Sequence, residues 1–171
     1  MRTFRATLFL LASTNSLLAA TPWEEYLALP SPANAARVAA LTYSPATAPP
    51  GGYARSDIRV LEDQVLAQDS EAFQLLLRLY RASGGGLAEE LGVRLGHSSR
   101  VHPEFFLRQV LASQRPCSEL AWPLNAPGEQ YVDRPGARRY EIEARRAALG
   151  AVNTEALARV RRECLAAFKQ K

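Results

Sequence analysis

An all-α fold follows from three features of the sequence. In the stretch SEAFQLLLRLYR, from Ser70 to Arg81, the residues Phe73, Leu75, Leu76, Leu77, Leu79 and Tyr80 leave almost no polar face at helical spacing. A helix apolar nearly all round belongs inside a set of other helices. The segments on either side carry one-sided apolar stripes, as helices packed around a central one would, and helix start and stop signals bound them. The expected architecture is a compact helical bundle or a short array of αα-hairpins, with about six to seven helices and one long proline-rich loop. A chain of 171 residues with 47% apolar content is long enough for one core, and two domains would be unusual at this size.

The first 20 residues read as a signal peptide. Arg2 and Arg5 precede an apolar run from Ala6 to Ala12, then Leu17 and Leu18, with the small pair Ala19 and Ala20 closing the segment. Ser13 to Ser16 interrupt the run, so it is a poor membrane span, which needs roughly 20 largely apolar residues. Cleavage after Ala20 would place Leu18 where a small residue is preferred, which leaves the processing site open. The expected location is therefore exported, either periplasmic or secreted.

Residues 21–55 are expected to form an N-terminal helical arm with a Pro/Gly-rich loop, and residues 56–171 a helical domain. Thr21 and Pro22 supply an N-cap and a first helical residue for WEEYLAL, and Ser31 with Pro32 repeat the signal for ANAARVAAL. The stretch TYSPATAPPGGYA stops that pattern with three prolines and two glycines. Ser56 and Asp57 then open a helix with Ile58, Leu61, Val65 and Leu66 on one face and Arg59, Glu62 and Asp63 expected to face out. Asp69 and Ser70 recap the chain before the central helix, which makes an αα-hairpin.

Gly84, Gly85 and Gly86 read as the stop of the central helix. A phosphate loop is the competing reading of three glycines, but no Lys-Ser or Lys-Thr follows and no strand precedes. Leu87, Leu91 and Leu95 mark the next helix. His97, Ser98, Ser99 and His102 read as a polar turn, and His102 with Pro103 start PEFFLRQVLAS. A Ser/His catalytic pair could be drawn among these four residues, yet no nucleophile elbow supports it.

From Arg115 to Gly136 four prolines exclude a continuous helix. Two readings stay open for so long a loop: structural cover carrying Trp122, Leu124, Tyr131 and Val132, or a recognition loop on a rigid scaffold. Two further helices follow. One ends at Gly150, and the other is capped by Asn153 and Thr154 and shows Leu157, Val160, Cys164 and Phe168 on one face.

Cys117 and Cys164, 47 residues apart, are expected to form a disulfide in an oxidising compartment. Constraining a loop of that length removes about 4 kcal/mol of unfolded-state entropy in the chain-entropy model. No metal-ligand spacing, cofactor fingerprint or catalytic motif stands out. Glu89 with Glu90, and Glu141 with Glu143, diverge on a helix and read as solvated faces.

Charge is unevenly spread. From Arg134 to Lys171 there are 10 basic and 4 acidic residues, a net of +6; from Thr21 to Asp133 there are 9 and 13, a net of −4. The basic end supplies the candidate partner-binding residues Arg138, Arg139, Arg145, Arg146, Arg159, Arg161 and Arg162, joined by Trp122 and Tyr131 from the proline-rich loop. Export and the few aromatics among these arginines argue against nucleic acid.

The layout LLLRLYRAS, GGGLAEELGVRLG and HPEFFLRQVL, within Ser56 to Ser113, resembles HEAT or armadillo-type helical repeat proteins, including uncharacterised bacterial ones. The resemblance implies a binding surface and transfers no catalytic residue. The expected function is that of an exported helical scaffold that binds another protein of the cell envelope, for example as an inhibitor or immunity-type protein. The rivals are a small envelope hydrolase with an unrecognised site, and a binder of anionic membrane surfaces through the basic C-terminal helices.

Overall fold

A computed structural model describes residues 20–40 and 55–168, all helix and turn with no strand among them. The signal-like residues 1–19, the whole of the first Pro/Gly-rich loop, and residues 169–171 lie outside the described residues. Nine α-helices are present among the described residues, where the sequence suggested six to seven: α1 (Pro22–Ala28), α2 (Pro32–Ala39), α3 (Arg55–Leu66), α4 (Ser70–Ala82), α5 (Gly85–Val101), α6 (Pro103–Ala112), α7 (Ala121–Asn125), α8 (Pro135–Gly150) and α9 (Ala158–Ala166).

Helix α4 is the enclosed one. Ala72, Phe73, Leu75, Leu76, Leu77 and Leu79 are all buried, and the Asp69 carboxylate accepts from the Ala72 N–H at 2.8 Å to start the helix. Phe73 meets Phe105 and Phe106 of α6 edge-on, each at 5.7 Å between ring centres. The segment expected as an arm lies against α3 and α4. Trp23, Tyr26, Ala35 and Val38 share one core with Leu61, Phe73, Leu95, Phe106 and Leu157. Both of its helices start as their sequences suggest. Thr21 and Glu24 form a reciprocal capping box, and the Ser31 hydroxyl accepts from the Asn34 N–H.

Helices α3 and α4 meet in a Schellman turn. The Asp69 N–H reaches the Gln64 carbonyl at 3.0 Å, the Gln68 N–H reaches that of Val65 at 2.9 Å, and Gln68 holds the left-handed conformation at φ 64°. Tyr26 crosses to this corner, donating from its hydroxyl to Gln64 at 2.8 Å. Burial, reinforced by Asp69 and Glu71, pushes its phenol up to about 12 against the opposing pull of Arg78, so it remains a donor at neutral pH.

The structure corrects several sequence expectations. The triple glycine does not simply end α4: Ser83 caps it, and Gly85, at φ +57°, already opens α5. The polar turn at 97–99 is the interior of α5. Ser98 and Ser99 are fully buried there, and their hydroxyls donate back to the Leu95 and Gly96 carbonyls at 2.7 and 2.6 Å. These internal bonds let small polar residues occupy a packed helix face without stranded hydrogen-bonding groups.

The stretch from Arg115 to Gly136 is not structureless. It folds as a 3₁₀ turn at Cys117–Leu120, then α7, then a second 3₁₀ turn at Glu129–Tyr131. Its anchors are Cys117, Leu120, Pro123 and Leu124, all buried, whereas Val132 and half of Trp122 face solvent. At the α8–α9 corner, Thr154 makes no side-chain cap and instead donates to the Glu104 carboxylate at 3.1 Å, while a 3₁₀ turn at Glu155–Leu157 leads into α9. Leu157, Val160, Cys164 and Phe168 do form one buried face, and Cys164 is bonded to Cys117 with the Cα atoms 5.0 Å apart.

Two carboxylates expected on solvated faces are buried. Glu62 accepts from Arg94 Nη1 at 2.7 Å and pairs with His97 Nδ1 at 3.1 Å, which ties α3 to α5. Burial alone would raise its pKa, but the His97 hydrogen bond and the Arg94 charge outweigh it and hold the carboxyl below its usual range. A depressed folded-state pKa means that the stabilisation is fully present above the unfolded value, near 4.3, and is lost as pH falls through the folded one. In urea titrations from pH 7 down to pH 3, the stability gap between wild type and Glu62→Gln should therefore narrow. A gap constant with pH would contradict this assignment.

Candidate functional site

The site begins with a buried ion pair on α8. Arg145 is 1% exposed and Glu141 3%, one turn apart. Arg145 Nε donates to Glu141 Oε1 at 3.0 Å, and its Nη1 donates to the Pro123 and Ala126 carbonyls at 2.9 and 3.1 Å. The second Glu141 oxygen accepts from Arg100 of α5. Burial pulls the Arg145 pKa down while the Glu141 hydrogen bond and charge pull it back, and a guanidinium stays charged under both. Arg145 is thus no surface residue. Of the arginines assigned to a partner surface it is the fully buried one, and it supplies the donor to the carbonyls of Pro123 within α7 and Ala126 just after it.

Gly96 makes room for this pair. A Cβ there would lie 2.2 Å from both Arg145 Nη1 and the Pro123 carbonyl oxygen. Gly92, one turn earlier, seats the Trp122 ring, whose nearest carbon would be 2.3 Å from an added Cβ, with Tyr80 on the far side at 3.1 Å. The two notches should respond differently to alanine. Trp122 is 45% exposed and can tilt away, whereas the Pro123 backbone cannot. Gly96→Ala should cost about 3 kcal/mol and Gly92→Ala less than about 1 kcal/mol in urea denaturation. Equal costs would rule out this account of the packing.

Above the buried pair, α8 stands clear of the body. Nine consecutive residues, Val132 to Tyr140, are all exposed, so the first turn and a half of the helix has no side against the core. Val132 is 70% and Tyr140 67% exposed, and Arg134, Arg138 and Arg139 lie among them. This end has no side-chain cap and no acidic residue in its first turn, so its positive charges add to the positive end of the helix dipole. Among the described residues, Arg138, Arg139, Arg146 and Arg162 take part in no ion pair. Arg159, by contrast, pairs with Glu163 at 2.6 Å, and half-buried Arg161 donates to the Val152 carbonyl.

The predicted surface residues therefore separate. Arg138, Arg139 and Arg146 are exposed on α8, Arg159 and Arg162 are exposed on α9, Tyr131 is half-buried, Trp122 is seated on α5, and Arg145 lies beneath. The sequence reading missed Tyr140 and Arg134. Tyr140 adjoins the basic pair directly, and an aromatic followed by Glu141 and Ile142 offers no periodic signal of exposure.

An open depression of about 590 Å³ lies between the α5–α6 and α8–α9 corners, lined by Gln68, Val101, His102, Phe105, Val152 and Asn153 among others. None of the predicted surface residues lines it. The buried serines near His102 are turned to their own helix carbonyls, so no Ser/His pair forms. Among the described residues no group of three His, Cys, Asp or Glu side chains could hold a metal ion, and no helix is long and apolar enough to cross a membrane. Comparison with protein-family models, curated proteins and solved structures yields no match.

Proposed function

We propose that this protein is an exported helical scaffold that binds an acidic surface of another envelope protein through the exposed end of α8, in the manner of an inhibitor or immunity protein. The observation that carries the reading is the unbroken exposure of residues 132–140, where three arginines flank Tyr140. Tyrosine and arginine are the residues that most often anchor protein interfaces, and a helix end standing clear of the body can enter a partner's cleft. The Cys117–Cys164 bond fits an oxidising, exported location, as does the signal-like start. The consecutive helix pairs α3–α4 and α5–α6 are compatible with a helical scaffold.

The test uses the oxidised protein immobilised through its C-terminus and exposed to envelope extract. A specific partner should be retained at low salt and released as ionic strength rises past about 0.15 M, where screening shortens to about 8 Å. Arg138→Glu/Arg139→Glu should lose it. Equal capture by that variant would reject the reading. Turnover of peptidoglycan or ester substrates, abolished by one polar substitution, would establish the hydrolase instead. Salt-sensitive binding to anionic vesicles with no protein captured would establish the membrane reading.

A further inference from the structure

Helix α8 changes character at one residue. Tyr140 is 67% exposed, and Glu141 directly after it is 3% exposed. Every residue from Val132 to Tyr140 is exposed, and the first buried residue of α8 is Glu141; on its other side the segment continues from half-buried Tyr131, whose carbonyl accepts from the Arg134 N–H at 3.1 Å. The Glu141 carboxylate is shared: Oε1 is held by Arg145 within α8, and Oε2 by Arg100 from α5. The Arg145–Glu141 bond is internal to α8, and Arg145 ties the helix to the α7 segment one turn further on, through the Pro123 and Ala126 carbonyls. The Arg100 bond joins α5 to α8 at Glu141 itself, the buried residue next to the exposed segment.

Arg100 also continues a line already in use. Gly92, Gly96 and Arg100 recur every fourth residue on α5, so they lie along one face, about 12 Å from first to last at 1.5 Å per residue. Gly92 carries Trp122, Gly96 carries Arg145 with the Pro123 carbonyl, and Arg100 carries Glu141. The half-exposed tryptophan and the basic end of α8 are thus both mounted on the same face of one helix.

We propose that Arg100 is a positioning residue for the docking end of α8, fixing through Glu141 the direction in which Arg138, Arg139 and Tyr140 project. This rests on the docking function proposed above, but it concerns the protein alone and can fail separately. An uncapped helix end with its arginines opposed to the helix dipole has little local stability of its own. Its order depends on the fixed residues at its two ends, Tyr131 before it and Glu141 after it. Arg100 is itself partly open to solvent, with its side chain 41% exposed, so replacing it strands no guanidinium in the core.

Hydrogen exchange read by mass spectrometry on the full oxidised chain tests this without any partner. In Arg100→Met, amides 138–142, the first of α8 to be hydrogen-bonded, should exchange about tenfold faster or more, while α4 and the Cys117–Leu120 turn keep wild-type protection. Arg100→Lys, which retains one charged donor, should recover much of the difference. With the partner captured as above, Arg100→Met should also elute at lower salt while it remains fully folded in the binding buffer, a change that a purely structural contact would not produce. Unchanged protection at 138–142 would overturn the proposal. So would faster exchange spread evenly over all helices, or Arg100→Lys behaving no better than Arg100→Met. If the exchange pattern appears but no envelope protein is captured, Arg100 still positions α8 and the docking function alone is wrong.

Discussion

Arg145→Met should lower the stability of the protein by about 3–5 kcal/mol, the usual cost of removing one partner from a buried ion pair. Methionine fills much of the same volume, so the loss is electrostatic and polar rather than a cavity. Glu141, 3% exposed, keeps only Arg100, and the Pro123 and Ala126 carbonyls lose their donor. The decisive control is Arg145→Met/Glu141→Leu. Removing both charges leaves Arg100 at the surface and no stranded carboxylate at this position, so the double variant should regain a good part of the loss. Urea denaturation of the four proteins in the cycle measures this directly. A double variant no more stable than Arg145→Met would show that packing around the guanidinium stem, and not the stranded Glu141, sets the cost.

Cys117→Ala/Cys164→Ala should cost about 4 kcal/mol, because the bond closes a loop with a sequence separation of 47 and restricts the unfolded chain accordingly. Alanine is the right replacement, since serine would bury a hydroxyl at two fully enclosed positions. In the folded state the loss should be small locally. Asn125 donates to the Ala167 carbonyl at 3.1 Å, and Arg145 still grips the turn after α7, so the segment keeps two other fastenings. The variant should therefore show wild-type helicity with a lower urea midpoint. A loss below about 1 kcal/mol would mean that the unfolded chain is already compact around this segment.

The apolar pattern made the helices legible. Leucines and phenylalanines at helical spacing marked α3, α4 and α6, and the Thr21, Ser31 and Asp69 caps appear where hydroxyl or carboxylate side chains precede a helical run. What could not be read was the fate of polar residues. Glu62 and Glu141 looked like solvent-facing carboxylates because nothing in a local window reveals a guanidinium 32 or 41 residues away. Gln109 is similar: it ties α6 to α4 through Ser70 at 2.8 Å and receives Gln74, contacts that require the helices to be packed already. The proline-rich stretch hid α7 because proline at 123 suppresses the helical signal while being tolerated in the first turn.

Local sequence sufficed to indicate the all-helical class, the enclosed position of α4, the inward face of α9 and the pairing of the two cysteines 47 residues apart. These rest on periodicity and composition, which act over one helix at a time. Tertiary structure alone decided which arginine is core and which are surface, that Gly92 and Gly96 are notches for a ring and a guanidinium, and that α8 leaves the body at Tyr140. Charged side chains of one type are indistinguishable until neighbouring helices fix what each can reach, because the energy of a charge depends on the water and partners around it and not on its place in the chain.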